Sequence, residues 1–241
     1  MPHKTIHRMD CFVSLLSKDN LDKRYKFPSH NISRFPRRYA RCLACSSQKE
    51  SSSSALELRK LLRKTPIYLV GMLGSGKSTV GQVLARRLGY SFLDTDQIIE
   101  QASKKKISEF VEENGEAEFG SVESSVLNQV QSYTCCVVAT GAGAVVKQSN
   151  WAVLHNGIVV FLDVAVSVIA RRLQREQSNN LKSYSLEGKL EDIRKERLPF
   201  YSQADVHIVL QEDTDNEWNP ESITSYITSR LVHFLREHRR V

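Results

Sequence analysis

Short β-prone apolar runs alternate five times with stretches of helical period along residues 61–241. The sequence therefore predicts an α/β domain, a five-stranded parallel sheet with helices on both faces. Two further observations agree. Cys135 to Ala139 is apolar at every position, as in a strand covered on both sides. A glycine-rich loop, Gly71 to Thr79, closes the first run and opens the first helical stretch. Right-handed crossovers leave few topologies for such a chain.

Taken in order, Leu56, Leu58, Leu61 and Leu62 begin ordered structure, and Ile67-Tyr68-Leu69-Val70 is the first strand. After the loop, Val80, Val83, Leu84 and Leu88 recur at helical spacing. Ser91 to Asp96 is a short strand ending in two acids, before a helix that opens Gln97-Ile98-Ile99-Glu100. One acid can serve a metal and the other a substrate, and Asp96 is also placed to cap that helix. Residues 107–131 read as two helices broken at Asn114-Gly115; the second carries Phe119, Val122, Val126, Leu127 and Val130 on one side. Strand three, Cys135 to Ala139, empties into Thr140-Gly141-Ala142-Gly143-Ala144, at the strand end where parallel sheets bind ligands. Ile158 to Leu162 is strand four and Val166 to Leu173 starts a helix. Glu187 to Tyr201 is another helix, broken only by Pro199, and Val206 to Leu210 is strand five. Residues 220–238 close the chain with Ile223, Ile227, Leu231 and Leu235 at four-residue spacing.

The loop fits the pattern G-x-x-x-x-G-K-[ST] without mismatch and lies between a strand and a helix, which is the context that pattern needs. Its glycines let the backbone curl so that N–H groups of Gly71, Gly74, Ser75, Gly76 and Thr79 face phosphate oxygens. The helix N-terminus adds positive dipole charge. Lys77 is expected to reach the β- and γ-phosphates and Ser78 to ligand Mg²⁺. The loop specifies a nucleotide and leaves the reaction open.

Charge is unevenly divided. Residues 1–60 carry 13 Lys/Arg and 5 Asp/Glu, a net of +8, whereas residues 61–241 carry 21 and 22, a net of −1. The basic balance belongs to the N-terminal segment and gives no ground for a nucleic-acid groove in the domain. That segment is basic, Ser-rich and poor in acids, the composition of an organelle transit segment. We expect residues 1–60 to be a disordered plastid presequence and residues 61–241 the folded domain. Asp10, Asp19 and Asp22 run against that composition. The longest apolar stretch, Gly157 to Ala170, is interrupted by Asp163 and Ser167 and falls short of the ~20 residues of a membrane span. Five cysteines include Cys42-x-x-Cys45, half of a zinc knuckle. A structural zinc site takes four ligands, so reduced thiols are the expectation.

Five motifs together resemble the shikimate kinases. They are Gly71–Thr79, Phe92-Leu93-Asp94-Thr95-Asp96, Asn114-Gly115-Glu116-x-x-Phe119, Val138-Ala139-Thr140-Gly141-Ala142-Gly143, and Glu196-Arg197-x-Pro199-Phe200-Tyr201. The resemblance covers roughly residues 63–210. It implies a P-loop NTPase fold of the nucleoside-monophosphate-kinase type, with strand order 2-3-1-4-5, and ATP with Mg²⁺ as cofactors. Lys77 and Ser78 would hold ATP and the metal, with Asp94 on the metal's water shell. Arg172 would stack on adenine. Asp96 would orient the nucleophilic hydroxyl, and Arg197 would pair with the shikimate carboxylate. Gln174 to Gly188 falls where the family has its lid.

The chain departs from the family at three places. Where the family has an arginine after Phe119, this chain has Gly120, which offers no guanidinium to a carboxylate. The family's glycine triplet reads Gly141-Ala142-Gly143, and a methyl there disfavours positive φ. The lid's Arg-Pro pair is missing; Lys182 and Lys189 are the cations between Arg175 and Arg194. The nucleotide half is thus expected to be intact and the acceptor half degraded. That pattern is similar to the plant shikimate-kinase-like proteins. It implies an ATP-binding protein of the chloroplast stroma that lacks shikimate kinase activity and serves chloroplast biogenesis. Two alternatives stay open: a working shikimate kinase with a lid lysine in place of the arginine, and a small kinase with another acceptor.

Overall fold

A computed structural model of the chain describes residues 53–176, 183–210 and 219–238. Cys42, Cys45 and Lys182 lie outside the described residues, as does most of the presumed transit segment. The elements in chain order are α1 (Ser53–Leu62), β1 (Ile67–Val70), α2 (Lys77–Leu88), β2 (Ser91–Asp94), α3 (Thr95–Ser103), α4 (Ile107–Asn114), α5 (Glu116–Val130) and β3 (Cys136–Ala139). There follow α6 (Gln148–Leu154), β4 (Ile158–Val164), α7 (Val166–Glu176), α8 (Ser183–Tyr201), β5 (Val206–Leu210) and α9 (Pro220–His238).

The sheet runs β2-β3-β1-β4-β5 and every pairing is parallel. This is the expected order 2-3-1-4-5. Ile67 pairs with Val137 on one side and Ile158 on the other, so β1 is the central strand. All four residues of β1 and of β3 are buried, whichever way they point. Consecutive burial requires cover on both faces, and the unbroken apolar runs supply side chains for both. The edge strand β5 alternates instead, with Val209 49% exposed between buried Ile208 and Leu210.

Helices α1, α2 and α9 pack on one another. Leu58 and Leu62 of α1 are fully buried, as are Leu84 of α2 and Ile227 and Leu231 of α9. Ion pairs Arg86–Glu221 and Arg236–Glu57 tie the exposed rims of these helices. The leucines of α1 belong to the core, so residues 53–60 are helical although they fall within the segment expected to be a disordered presequence. The helix α6 was not anticipated. It is short, but Trp151 is buried on it and donates Nε1–H to the Val145 carbonyl at 2.9 Å. No described helix is long and apolar enough to cross a membrane.

Candidate active site

The first half of the site is local in sequence. Strand β1 ends at Val70 and the chain turns through Gly71–Gly76 into α2. Gly74 (φ 74°) and Gly76 (φ 86°) hold left-handed backbone that other residues adopt only with strain. The Lys77 ammonium lies against the loop. It donates to the carbonyls of Gly71 (2.9 Å) and Met72 (2.8 Å) and to Ser75 Oγ (3.4 Å). Burial pushes Lys77 down to about 8, against the opposing pull of the Asp96 and Asp94 carboxylates. Thr79 stands exposed on the first turn of α2.

Ser78 Oγ donates to Asp94 Oδ2 at 2.6 Å. The other oxygen of Asp94 accepts from the backbone N–H groups of Asp96 (3.1 Å) and Gln97 (3.2 Å). Asp94, not Asp96, is thus the cap of α3, because β2 stops at Asp94 and the helix begins at Thr95. A hydroxyl beside a capped carboxylate fits Mg²⁺, a hard cation that takes few protein oxygens and completes its shell with water and phosphate. No group of three or more His, Cys, Asp or Glu poised for a metal occurs among the described residues. Arg172 reaches across from α7, its Nη1 donating to the Gly74 carbonyl at 3.3 Å. It therefore lies at the rim of the phosphate loop.

The second half is assembled from distant segments. Asp96 sits in the first turn of α3, half-buried, and its Oδ1 is sealed from solvent without a hydrogen-bond partner. Burial, reinforced by Asp94, pushes its carboxyl up to about 6. Facing it is Glu123 of α5, which the sequence reading passed over. It is 3% exposed, and its Oε1 is also unpartnered. Burial, with the neighbouring Asp96, drives it up to about 8, while Arg197, Lys147 and Lys77 pull the other way. Its signal was its place in the apolar stripe, four residues after Phe119 and three before Val126. A carboxylate in a buried stripe needs a reason.

The β3–α6 loop fits between these acids. Gly141 N–H donates to Thr95 Oγ1 at 2.8 Å and Thr140 Oγ1 donates to the Leu69 carbonyl at 3.1 Å, so the loop is pinned to α3 and β1. A Cβ on Gly141 would stand 2.1 Å from Glu123 Oε1 and 2.6 Å from Asp96 Oδ1. Only a glycine lets both carboxyls converge there. Gly143 is a second close approach, 3.0 Å from Glu123 Oε2 by the same measure. Ala142 between them has no positive φ, so its methyl meets none of the backbone strain that the sequence suggested. Its carbonyl accepts from Arg197 Nη1 at 2.6 Å. Arg197, on α8, is 3% exposed and its Nε has no partner.

Gly120 lies on α5. A Cβ there would meet Lys147 Cε at 3.3 Å and Nζ at 3.4 Å. The position without a side chain is crossed by a lysine from the N-terminus of α6. Lys189, one of the lid cations of the sequence reading, is exposed on α8. The structure thus brings Lys77, Asp96, Gly141, Ala142, Gly143 and Arg197 together, and adds Glu123 and Lys147.

A phosphate-loop sequence, a hydroxyl–carboxylate pair and a buried acid near the loop lysine, set on a parallel α/β sheet, are the features of a P-loop nucleotide-binding fold. The shikimate kinase family model matches residues 73–232. Shikimate kinase of Nostoc punctiforme is 43% identical over 180 residues, covering 74% of this chain and 97% of the relative. That of Trichormus variabilis is 44% identical over 181 residues, covering 75% and 98%. Among solved structures, shikimate kinase from Acinetobacter baumannii in complex with shikimate aligns with a TM-score of 0.65 and 32% identity, over 76% of this chain and 99% of that one. Shikimate kinase from Bacteroides thetaiotaomicron aligns at 0.63 and 30%, over 68% and 97%. The chain belongs to the shikimate kinase family.

Proposed function

We propose that the protein is a working shikimate kinase, which transfers the γ-phosphoryl group of ATP to a hydroxyl of shikimate. The observation that carries this reading is the convergence of Asp96 and Glu123 on Gly141, with Arg197 bonded to the next carbonyl, that of Ala142, and Lys77 of the phosphate loop close enough to feel these acids. Asp96 accepts the hydroxyl proton as the oxygen bonds to the γ-phosphorus and the bond to the bridging oxygen of ADP breaks. Lys77 follows the phosphate charge during that exchange. Ser78 and Asp94 would hold Mg²⁺, and the ion would supply charge neutralisation to the phosphates. Arg197 pairs with the substrate carboxylate.

The sequence pointed first to a protein without this activity, on Gly120, Ala142 and the lid. Two of those three grounds weaken in three dimensions: Lys147 stands at Gly120, and Ala142 keeps an ordinary φ. Cyanobacterial relatives at 39–44% identity carry the name shikimate kinase, which supports the active reading over the non-kinase one. Chloroplast stroma is proposed as the location on the composition of residues 1–60 alone. Imaging of the full chain fused at its C-terminus to a fluorescent protein tests it.

The deciding experiment is ADP release by the full chain with saturating Mg·ATP, with and without millimolar shikimate. Shikimate-dependent release is expected. No stimulation, in folded protein that binds ATP, would defeat the reading and return the non-kinase alternative.

A further inference from the structure

The Lys147 side chain makes no hydrogen bond or ion pair with the described residues, although it is half-buried and lies across α5. Helix α6 begins immediately after it, at Gln148, and Asn150 N–H donates back to the Lys147 carbonyl at 3.0 Å, so its backbone is held at the helix entrance. Its ammonium occupies the place that a side chain on Gly120 would fill. It acts on Glu123 together with Arg197 and Lys77. Lys77 is engaged by the loop carbonyls, and Arg197 by Ala142. Glu123, driven up by burial, takes little of the remaining charge near neutral pH. The surroundings of Glu123 therefore hold an ammonium without a hydrogen-bond partner of its own as well as the buried Arg197 guanidinium and the Asp96 carboxyl.

We infer that Lys147 is a substrate-binding residue whose ammonium contacts the anionic group of the phosphoryl acceptor, and that Gly120 is the space that admits it. A Cβ at position 120 would press on the end of the lysine, 3.3 Å from Cε and 3.4 Å from Nζ, so Gly120 leaves the ammonium its room, and a long side chain there would compete with it for the same space. The point charge of Lys147 and the planar fork of Arg197 then share one carboxylate. The identity of that anion rests on the shikimate kinase reading.

The test uses the full chain, with shikimate as the probe, in two measurements: shikimate-dependent ADP release and equilibrium binding of shikimate. K147M is expected to raise both KM and Kd for shikimate about tenfold to a hundredfold, the range of one charged hydrogen bond. Its KM for Mg·ATP should stay within about twofold. K147R, which keeps the charge, should recover most of the loss. G120R in the K147M background returns a cation from the facing helix and should also regain affinity. If wild type turns over shikimate and K147M leaves KM and Kd unchanged, the inference is overturned and the function stands. A K147M defect equal for Mg·ATP and shikimate also overturns it. If wild type binds shikimate without turnover, the function fails and the Kd comparison still decides Lys147. If wild type neither binds nor turns over shikimate, both fall.

Discussion

The two halves of the site are built in opposite ways. The nucleotide half is one continuous run, Gly71 to Thr79, and its groups satisfy one another: Lys77 on the loop carbonyls, Ser78 on Asp94, Asp94 on the first turn of α3. The acceptor half draws Asp96, Glu123, Gly141, Lys147 and Arg197 from α3, α5, the β3–α6 loop and α8. It leaves Asp96 Oδ1, Glu123 Oε1 and Arg197 Nε buried without partners. Buried polar atoms of that kind are costly unless a ligand answers them. A contiguous, self-satisfied loop tolerates few changes. A wall of separate contributors can take a charge from more than one element, which is the role inferred for Lys147 beside Gly120.

Breaking the acceptor half at its base should have the largest effect. Asp96→Asn removes the proton acceptor and should lower kcat about 10²–10⁴-fold with Mg·ATP binding retained. Burial and Asp94 hold this acid near 6, so the base form appears only as pH rises through that value. Wild-type kcat should climb between about pH 5 and 7, and the residual rate of D96N should be flat there. A wild-type profile without that limb would remove Asp96 from the proton transfer.

Breaking the nucleotide half should come next. Lys77→Met should cost about 10²–10³-fold in kcat. Shikimate Kd, measured separately, should change little, because Lys77 is anchored to the loop rather than to the acceptor wall. Equal losses in both binding constants would mean that the halves are one cooperative unit.

This contrast also explains what the sequence could show. The strands themselves, the phosphate loop and the break at Asn114-Gly115 were legible because each is a local pattern: apolar runs, glycines at fixed offsets, a helix stop; the strand order came only with the family resemblance. The boundaries shifted where tertiary packing decided them. Ser53 to Leu62 folds because its leucines meet α9 and α2, and α6 forms around buried Trp151. Glu123 carried a faint signal as a carboxylate in an apolar stripe. Lys147 carried none, since nothing in the spacing of 120 and 147 says that they touch. A glycine at position 120 is visible in the sequence; the lysine that lies across it is visible only in the fold.

Glu123 permits a test with a defined sign. Its folded value of about 8 lies above its ordinary 4.5, so between those values the folded protein keeps a proton that the unfolded chain has released. The folded state then binds more protons, and this residue's contribution to stability falls as pH rises through that window. Glu123→Gln has no proton to lose. The melting temperature of E123Q relative to wild type should therefore improve by more than about 3 °C between pH 5 and pH 8.5. A difference independent of pH would show that Glu123 is ionised throughout, paired by Arg197 and Lys147.

The smallest effect is expected at Ala142, and it sharpens the comparison most directly. If the acceptor half were degraded by this methyl, Ala142→Gly would repair it. The structure argues otherwise. Ala142 holds no positive φ, and Arg197 uses its carbonyl, a group that glycine supplies equally. Glycine should only loosen the unfolded chain, costing about 0.4–1 kcal/mol of stability, with kcat/KM for shikimate within about twofold of wild type. A tenfold gain would mean that the methyl presses on bound substrate. The loop after β3, rather than the exchange of Gly120 for Lys147, would then be the place where this chain parted from its relatives.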